Sequence, residues 1–299
     1  MSLEIRPQTE NDDEQALELL RAADDARVLS VDTIRHWRAS RPAAARSIEL
    51  VGVDGGRIVV VGGASLNLWT STEHAAWAFL TVAADRRREG IGAAFADALL
   101  AHLHEIGARR VTTFMRQTDD GERWATARGY TRAISGPLIA LDPRDVPEPE
   151  LPEGLRCVPL ARLTARDLYE PMCEAALDEP TPEPNDRISL EEFEREWNDP
   201  LHDLESGTAV VDGDGKVLAF AFMKRAGDRA SHGFTGCVRA QRGRGLATAA
   251  KRAALRAAAA RGVTRVTTSN AEENAAMRAI NRRLGFEPIG EHVILAREL

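Results

Sequence analysis

The stretch of sequence that decides the fold reads Phe234-Thr-Gly-Cys237-Val-Arg-Ala-Gln-Arg242-Gly-Arg-Gly245-Leu-Ala247. A second copy reads Phe79-Leu-Thr-Val82-Ala-Ala-Asp-Arg-Arg87-Arg-Glu-Gly90-Ile-Gly92-Ala. In both copies an apolar, strand-like run ends in a basic loop, the loop carries Arg-x-x-Gly-x-Gly/Ala, and an Ala- and Leu-rich helix follows. Such a loop directs several backbone N–H groups and the positive end of a helix dipole at one point. The repeat therefore predicts two sites for a pyrophosphate or a similar anion.

The two loops belong to a longer internal repeat. Each half of the chain contains, in the same order, a strand, helices, a hairpin, a long strand, the glycine loop, a helix, a strand, a helix and a strand. The hairpin turns are Val53-Asp-Gly-Gly-Arg-Ile58 and Val211-Asp-Gly-Asp-Gly-Lys-Val217. This order predicts an α+β fold in which each half is built around a mixed sheet.

The chain length and a proline-rich segment predict the domain boundaries. The 299 residues suit two domains of roughly 150 residues each. The segment Asp142-Pro-Arg-Asp-Val-Pro-Glu-Pro-Glu-Leu-Pro152 holds four prolines and no periodic apolar pattern, which is typical of an extended linker. We therefore expect domains over residues 1–141 and 155–299, joined by a linker over residues 142–154.

Composition excludes several classes of protein. The net charge of −7 argues against a broad nucleic-acid surface, and no apolar run approaches the ~20 residues of a membrane helix. The three cysteines are widely spaced, and His102 and His104 face different sides of a helix, so neither disulfides nor a metal site is expected. We expect a cytoplasmic protein.

The order of elements and the two loops resemble the GCN5-related N-acetyltransferase (GNAT) superfamily, as a tandem two-domain member. The resemblance covers nearly the whole chain and implies that each half is a mixed, largely antiparallel sheet flanked by helices. It also implies that the loops hold the pyrophosphate of acetyl-CoA and that the preceding strands line its pantetheine arm. The implied cofactor-binding residues are Val82, Arg87, Arg88, Gly90 and Gly92 of the first copy, and Cys237, Val238, Arg242, Gly243, Arg244, Gly245, Leu246, Ala247, Thr248, Asn270 and Asn274 of the second.

Three asparagines follow the second loop, and the first copy lacks them. Asn274 and Asn281 are seven residues apart, so they share a helix face. Capping explains Asn270 or Asn274, but not Asn281 in mid-helix, where asparagine is disfavoured. Family members often place a tyrosine at the position of Asn281, as the acid for the CoA thiolate, and the first copy has Ala125 there. We therefore expect Asn281 to orient the sulfur, or the thiolate to leave with help from water.

Candidates for the base that deprotonates the acceptor are Glu179 and Glu183, in a proline-rich acidic loop, and His232, just before the motif strand. The alternative for the two glutamates is a solvated acidic loop without a catalytic role, and the alternative for His232 is an ordinary surface histidine. A backbone N–H of Cys237 or Val238 is expected to stabilise the oxyanion.

These observations predict an acetyl-CoA-dependent N-acetyltransferase, with chemistry in the second domain and a degenerate first domain. The expected acceptor is a primary amine of a small molecule or peptide, and the acidic loop favours a cationic one. We expect a monomer or homodimer. The alternatives are a non-catalytic acyl-CoA-binding regulatory module and a binder of another nucleotide. A dinucleotide fingerprint is disfavoured because Phe95 and Thr248 stand where its third glycine would fall.

Overall fold

The computed structural model describes residues 3–299 and divides them into two compact units. The first unit contains residues 3–135, 182–184 and 292–299, and the second contains residues 136–181 and 185–291. No helix in this described range is both long and apolar enough to cross a membrane.

The first repeat begins with strand β1 and two helices and continues through the glycine loop. Its elements are β1 (Glu4–Pro7), α1 (Asp13–Ala23), α2 (Val31–Ser40), β2 (Ile48–Asp54), β3 (Arg57–Leu66), β4 (Ala75–Val82), α3 (Ile91–Glu105), β5 (Arg110–Arg116), α4 (Asp119–Thr126) and β6 (Thr131–Leu141).

The second repeat has the same order of helices and strands. Its elements are β7 (Arg156–Pro159), α5 (Ala165–Ala176), α6 (Leu190–Trp197), β8 (Thr208–Val211), β9 (Val217–Ala226), β10 (Arg229–Cys237), α7 (Leu246–Ala260), β11 (Val266–Ser269), α8 (Ala275–Leu284) and β12 (Glu287–Glu298). The predicted α+β architecture, a mixed sheet flanked by helices, is confirmed.

The sheet of the first unit has the order β1-β2-β3-β4-β5, followed by residues 292–298 of β12. All of these pairs are antiparallel except β4 and β5, which pair in parallel at Ala75↔Arg110, Ala76↔Val111 and Trp77↔Thr112. Both strands continue beyond this short register, β4 to Val82 and β5 to Arg116. They therefore separate toward the glycine loop and leave a gap in the sheet.

The sheet of the second unit repeats this plan. Residues 138–141 of β6 pair with β11, and β10, β9, β8 and β7 follow in order. Its parallel pair, β10 and β11, is joined only at Ala230↔Val266 and Ser231↔Thr267, and a bulge interrupts β10 between His232 and Thr235. Such a bulge bends the strand and increases its twist.

The last strand of each unit comes from the other repeat. Residues 292–298 close the sheet of the first unit against β5, and residues 138–141 close that of the second against β11. The proline-rich segment also packs: the Val146 side chain is buried, and its carbonyl accepts a hydrogen bond from Arg256 of α7 at 2.8 Å. The compact units thus differ from a simple division into 1–141 and 155–299.

Candidate active site

The two glycine loops have the same backbone geometry. Gly90 and Gly245 cap α3 and α7 with φ of 81° and 80°, a left-handed conformation that glycine adopts without strain. In the part of the chain that the structure describes, the amides of residues 88–92 and 243–247 donate to no protein group. A Cβ added at Gly90, Gly243 or Gly245 would meet no atom within 4 Å. Both loops are therefore open cradles of backbone donors, as the sequence predicts.

The arginines of the two loops differ in their partners. In the second unit Asp178 binds both Arg242, at 2.6 Å, and Arg239, at 2.7 Å, and these guanidinium groups hold the pKa of Asp178 well below its ordinary value. Arg87, which corresponds to Arg242, has no carboxylate partner in the described residues and donates to the Val82 carbonyl at 3.4 Å. The first loop thus offers, beside its amides, a cation that no carboxylate neutralises. Arg88 next to it pairs with Asp120 at 2.8 Å.

A cavity of about 900 Å³ opens beside the first loop. Its wall includes the loop residues Arg87, Arg88, Gly90 and Gly92, the end of β4 from Ala78 to Val82, and the end of β5. It also includes one face of α3, one face of α4, and the turn after α1. The cavity therefore connects the anion cradle with the gap between β4 and β5.

Small side chains keep this cavity open. Ala96 is the sixth residue of α3, and Gly121 and Ala125 lie on α4, eight and four residues before Gly129. All three contribute to the cavity wall. Because none of them has a side chain larger than a methyl group, α3 and α4 leave space between them.

The corresponding positions of the second unit carry larger side chains. Lys251 is the sixth residue of α7, and Met277 and Asn281 lie eight and four residues before Gly285. Lys251 is 1% exposed, its Nζ lies 3.9 Å from Met277 Sδ, and it lies 5.7 Å from the centre of the Phe286 ring. Desolvation by burial lowers the pKa of Lys251 to about 7. These side chains occupy the space that is open in the first unit.

The three asparagines have different roles in the structure. Asn274 caps α8 and accepts a hydrogen bond from the Met277 N–H at 3.1 Å. Asn281 is buried in α8 and donates from Nδ2 to Asn270 Oδ1, while its own Oδ1 is buried and has no partner in residues 3–299. An orphaned buried acceptor is costly, so Asn281 has one unexplained polar atom.

His232 is buried in the second unit, so the alternative of a surface histidine is wrong. Neither of its ring nitrogens has a hydrogen-bond partner within the described chain. Burial, together with the charge of Lys251, lowers its pKa well below the ordinary value. The histidine is neutral and shielded from water, and its proposed role as a base stays a prediction.

The two candidate glutamates have different environments. Glu179 is accessible to solvent; desolvation by the surrounding protein raises its pKa, and the charge of Lys224 opposes the shift. Glu183 is 5% exposed and accepts a hydrogen bond from Arg110 Nε at 2.8 Å in the first unit. Glu183 therefore forms a structural ion pair, and Asp178 is neutralised by arginines. Of the three carboxylates of the acidic loop, only Glu179 therefore stays available to a cationic acceptor.

The strand before each loop offers one free backbone donor rather than two. The Val238 N–H donates to the Leu218 carbonyl of β9 at 2.9 Å, so it is not available to an oxyanion. Because N–H groups alternate along a strand, the Cys237 N–H points away from β9, toward the gap. Val82 has the same orientation in the first unit, where the Ala83 N–H donates to the Val59 carbonyl at 2.9 Å. The Cys237 thiol is half-buried, and burial raises its pKa.

Several residues of the first cavity were missed from the sequence. Asp24 and Arg27 follow α1, and Tyr130 and Trp124 flank the end of α4. The Arg128 guanidinium stacks 3.9 Å from the Trp124 ring centre, a cation–π contact that the spacing of four residues on a helix could have suggested. No local pattern in the sequence marks Asp24 or Arg27.

Comparisons with known proteins agree with this geometry. The family model described as the acetyltransferase (GNAT) family matches residues 13–130 and 169–286. A tandem GNAT protein from the clavulanic acid biosynthesis pathway has a similar structure, with a TM-score of 0.77 at 24% identity over 99% of this chain and 98% of that one. A GCN5-related N-acetyltransferase from Sphaerobacter thermophilus has a TM-score of 0.74 at 19% identity, over 99% and 95% of the two chains.

A putative acetyltransferase from Pyrococcus horikoshii is similar over 99% of this chain and 89% of that one, with a TM-score of 0.63 at 14% identity. At these identities the likeness shows the fold. No curated protein sequence matches the chain. Because the family model matches both repeats, the chain belongs to the acetyltransferase (GNAT) family, whose cofactor is acetyl-CoA, and contains two of its domains in tandem.

Proposed function

We propose that the protein is an acetyl-CoA-dependent N-acetyltransferase in which the cleft of the first unit holds acetyl-CoA for transfer to a primary amine. The observation that carries the proposal is the cavity of about 900 Å³ that joins the free amides of residues 88–92 to the gap between β4 and β5. Its volume lies in the range of small-molecule sites. Acetyl-CoA supplies an acetyl group activated as a thioester.

The residues of the first unit divide into two tasks. The loop amides and Arg87 bind the pyrophosphate, since oriented N–H groups, a helix N-terminus and a guanidinium without a carboxylate partner all favour an anion. The Val82 N–H, which points into the gap, would stabilise negative charge on the thioester oxygen. Ala96, Gly121 and Ala125 leave room for the pantetheine arm.

The reaction conserves charge and atoms in a simple way. The acceptor nitrogen forms the new C–N bond with the acetyl carbon as the C–S bond breaks. The amine releases one proton to water, and the departing sulfur takes up one proton from water, so the two transfers balance. A thiol pKa near 8.5 makes this sulfur a fair leaving group without a tyrosine acid.

The sequence predicts chemistry in the second unit instead, with Asn281, Glu179 and His232 as its catalytic residues. This remains a separate proposal. Glu179 suits a base because its pKa is raised and its side chain reaches solvent. Lys251 and Met277 argue against room for a pantetheine arm in that unit.

The test combines binding with turnover on the purified full chain. Acetyl-CoA is titrated by calorimetry, and thiol release with N-acetylated product is followed over a panel of primary amines. Binding with amine-dependent release is the expected result. Binding without release on any amine would favour the non-catalytic acyl-CoA module, and no binding of CoA would favour another nucleotide.

A further inference from the structure

A short turn after α1 places an arginine on the wall of the first cavity. The Arg27 N–H donates to the Asp24 carbonyl at 3.1 Å, and the Ala26 N–H donates to Asp24 Oδ1 at 3.0 Å. These bonds fix the backbone, so the turn presents Asp24 and Arg27 to the same cavity. The Arg27 side chain is half-buried there.

Arg27 differs from the other arginines of this wall because its guanidinium has no partner. Within residues 3–299 it forms no hydrogen bond, ion pair or ring contact, and Asp24 acts on it only through charge. The other arginines of the wall have partners. These are Asp54 and Glu89 for Arg86, the Val82 carbonyl for Arg87, Asp120 for Arg88 and Arg123, Asp24 and Asp25 for Arg116, Trp124 for Arg128 and Tyr130 for Arg297.

An unpaired, partly desolvated guanidinium is costly to the fold. Desolvation lowers the pKa of Arg27, and the charge of Asp24 only partly offsets this. Its planar array of donors matches a carboxylate in two parallel hydrogen bonds. Because the cation faces a cavity rather than a protein anion, an anionic group of a ligand is the partner that completes it.

The groups beside Arg27 fit the rest of such a ligand. Burial raises the pKa of Asp24, but the nearby His292, the Ala26 amide and the charge of Arg27 outweigh it, so the pKa is lowered and the carboxylate stays ionised. Asp24 also lies 3.6 Å from Arg116 Nη1 and 3.8 Å from His292 Nε2, so this carboxylate already has cationic partners. Phe79 and Phe114, on the two strands that border the gap, are 38% and 45% exposed and offer an apolar surface.

We propose that the acceptor is a primary amine that also carries a carboxylate, as an amino acid does, and that Arg27 binds this carboxylate. The proposal rests on the proposed transferase function of the first cleft. It replaces the cationic acceptor suggested by the acidic loop with a zwitterionic one. Arg27 is here a specificity-determining residue.

The test uses the full chain saturated with CoA, so that no transfer occurs. Thermal shifts are measured with the proteinogenic amino acids, β-alanine, γ-aminobutyrate and short dipeptides, each paired with its carboxamide. We expect at least one acid to raise Tm while its amide does not. Arg27→Gln should remove this shift but keep the shift caused by CoA, whereas Arg57→Gln, on an exposed ion pair away from the cavity, should keep both.

Kinetics with acetyl-CoA then separate the two proposals. For the acid that binds, Arg27→Gln should raise KM about 10- to 100-fold, the range of a lost charge-assisted hydrogen bond, with a smaller change in kcat. Arg27→Lys keeps the positive charge and should recover part of the lost affinity. Equal shifts or turnover with acids and amides, or no shift with any acid, would overturn the acceptor class. An Arg27-dependent shift without thiol release would keep the acceptor site and overturn the transferase function.

Discussion

The clefts of the two units share a loop and differ in what lies behind it. Gly90 and Gly245 have nearly the same φ, and each loop leaves its amides free. The helices that flank the first loop, α3 and α4, carry Ala96, Gly121 and Ala125. At the corresponding positions of α7 and α8, the second unit carries Lys251, Met277 and Asn281. An anion cradle is thus a local property, whereas room for the rest of a cofactor depends on a few side chains of the flanking helices.

This difference favours the opposite division of labour to the one that the motifs suggest. The second repeat has the asparagine-rich helix, yet Asn274 caps that helix and Asn281 is buried beside Asn270. The first repeat lacks these asparagines and has the open cavity. The prediction of chemistry in the second unit is still open, and the following experiments distinguish the two assignments.

The largest effect is expected from a carboxylate placed in each loop in turn. Gly90→Glu should lower thiol release by about 100-fold or more, since it repels the pyrophosphate where charge-assisted hydrogen bonds are needed. Gly245→Glu is its matched control, because both residues have positive φ and similar strain, roughly 1–2 kcal/mol. Gly245→Glu should retain far more activity in a steady-state assay. The reverse order would place the chemistry in the second unit.

A lysine placed at position 96 should fill the first cleft as Lys251 fills the second. Ala96→Lys is expected to weaken acetyl-CoA binding about tenfold or more, because the new side chain overpacks the space between α3 and α4. Calorimetry measures the affinity. Asp97→Lys, one residue along on the exposed face of α3, adds the same side chain without filling the cavity. Unchanged affinity in Ala96→Lys would mean that the open first cleft is not the binding site.

The buried lysine of the second cleft should make stability depend on pH. The folded pKa of Lys251, about 7, lies below the ordinary value of 10.5, so the unfolded chain binds more protons between these values. The free energy of unfolding of the wild type should therefore rise with pH across this window relative to Lys251→Met, by roughly 2–5 kcal/mol.

Urea unfolding of both proteins at several pH values checks this dependence. Lys216→Met, on an exposed turn, controls for the loss of one lysine. A difference between wild type and Lys251→Met that does not change with pH would show that Lys251 reaches solvent, and that the second cleft opens.

The smallest effect concerns the loop arginines. Asp178→Asn should release Arg242 and Arg239 and tighten CoA binding to the second unit by no more than about fivefold, the range of exposed ion pairs. The Ala96→Lys background isolates this unit in a calorimetric titration, and added salt should reduce the gain. Asp142→Asn, which removes an exposed pair with Arg144, is the control. A much larger gain would mean that Asp178 alone keeps the second cleft empty.

Much of the candidate site could be predicted because its signals are local. The strand, the basic loop, the glycines with positive φ and the following helix lie within about fifteen residues of each other in both copies. The repeat order also predicted the mixed sheet. The ion pair of the base candidate Glu183 could not be predicted, because its partner Arg110 is 73 positions away along the chain. Arg27 was missed because a lone arginine in a turn has no sequence signature.

By itself, the sequence determined the doubled loop, the α+β repeat and the resemblance to the family, since these depend on residues close together along the chain. Only the tertiary structure decided which cleft is open and which strand closes each sheet. The cleft volume depends on α3 and α4, whose wall residues Ala96 and Gly121 are far apart in sequence and meet only through packing. The closing strand of the first unit, residues 292–298, comes from the far end of the chain, and strand pairing over that distance leaves no local pattern.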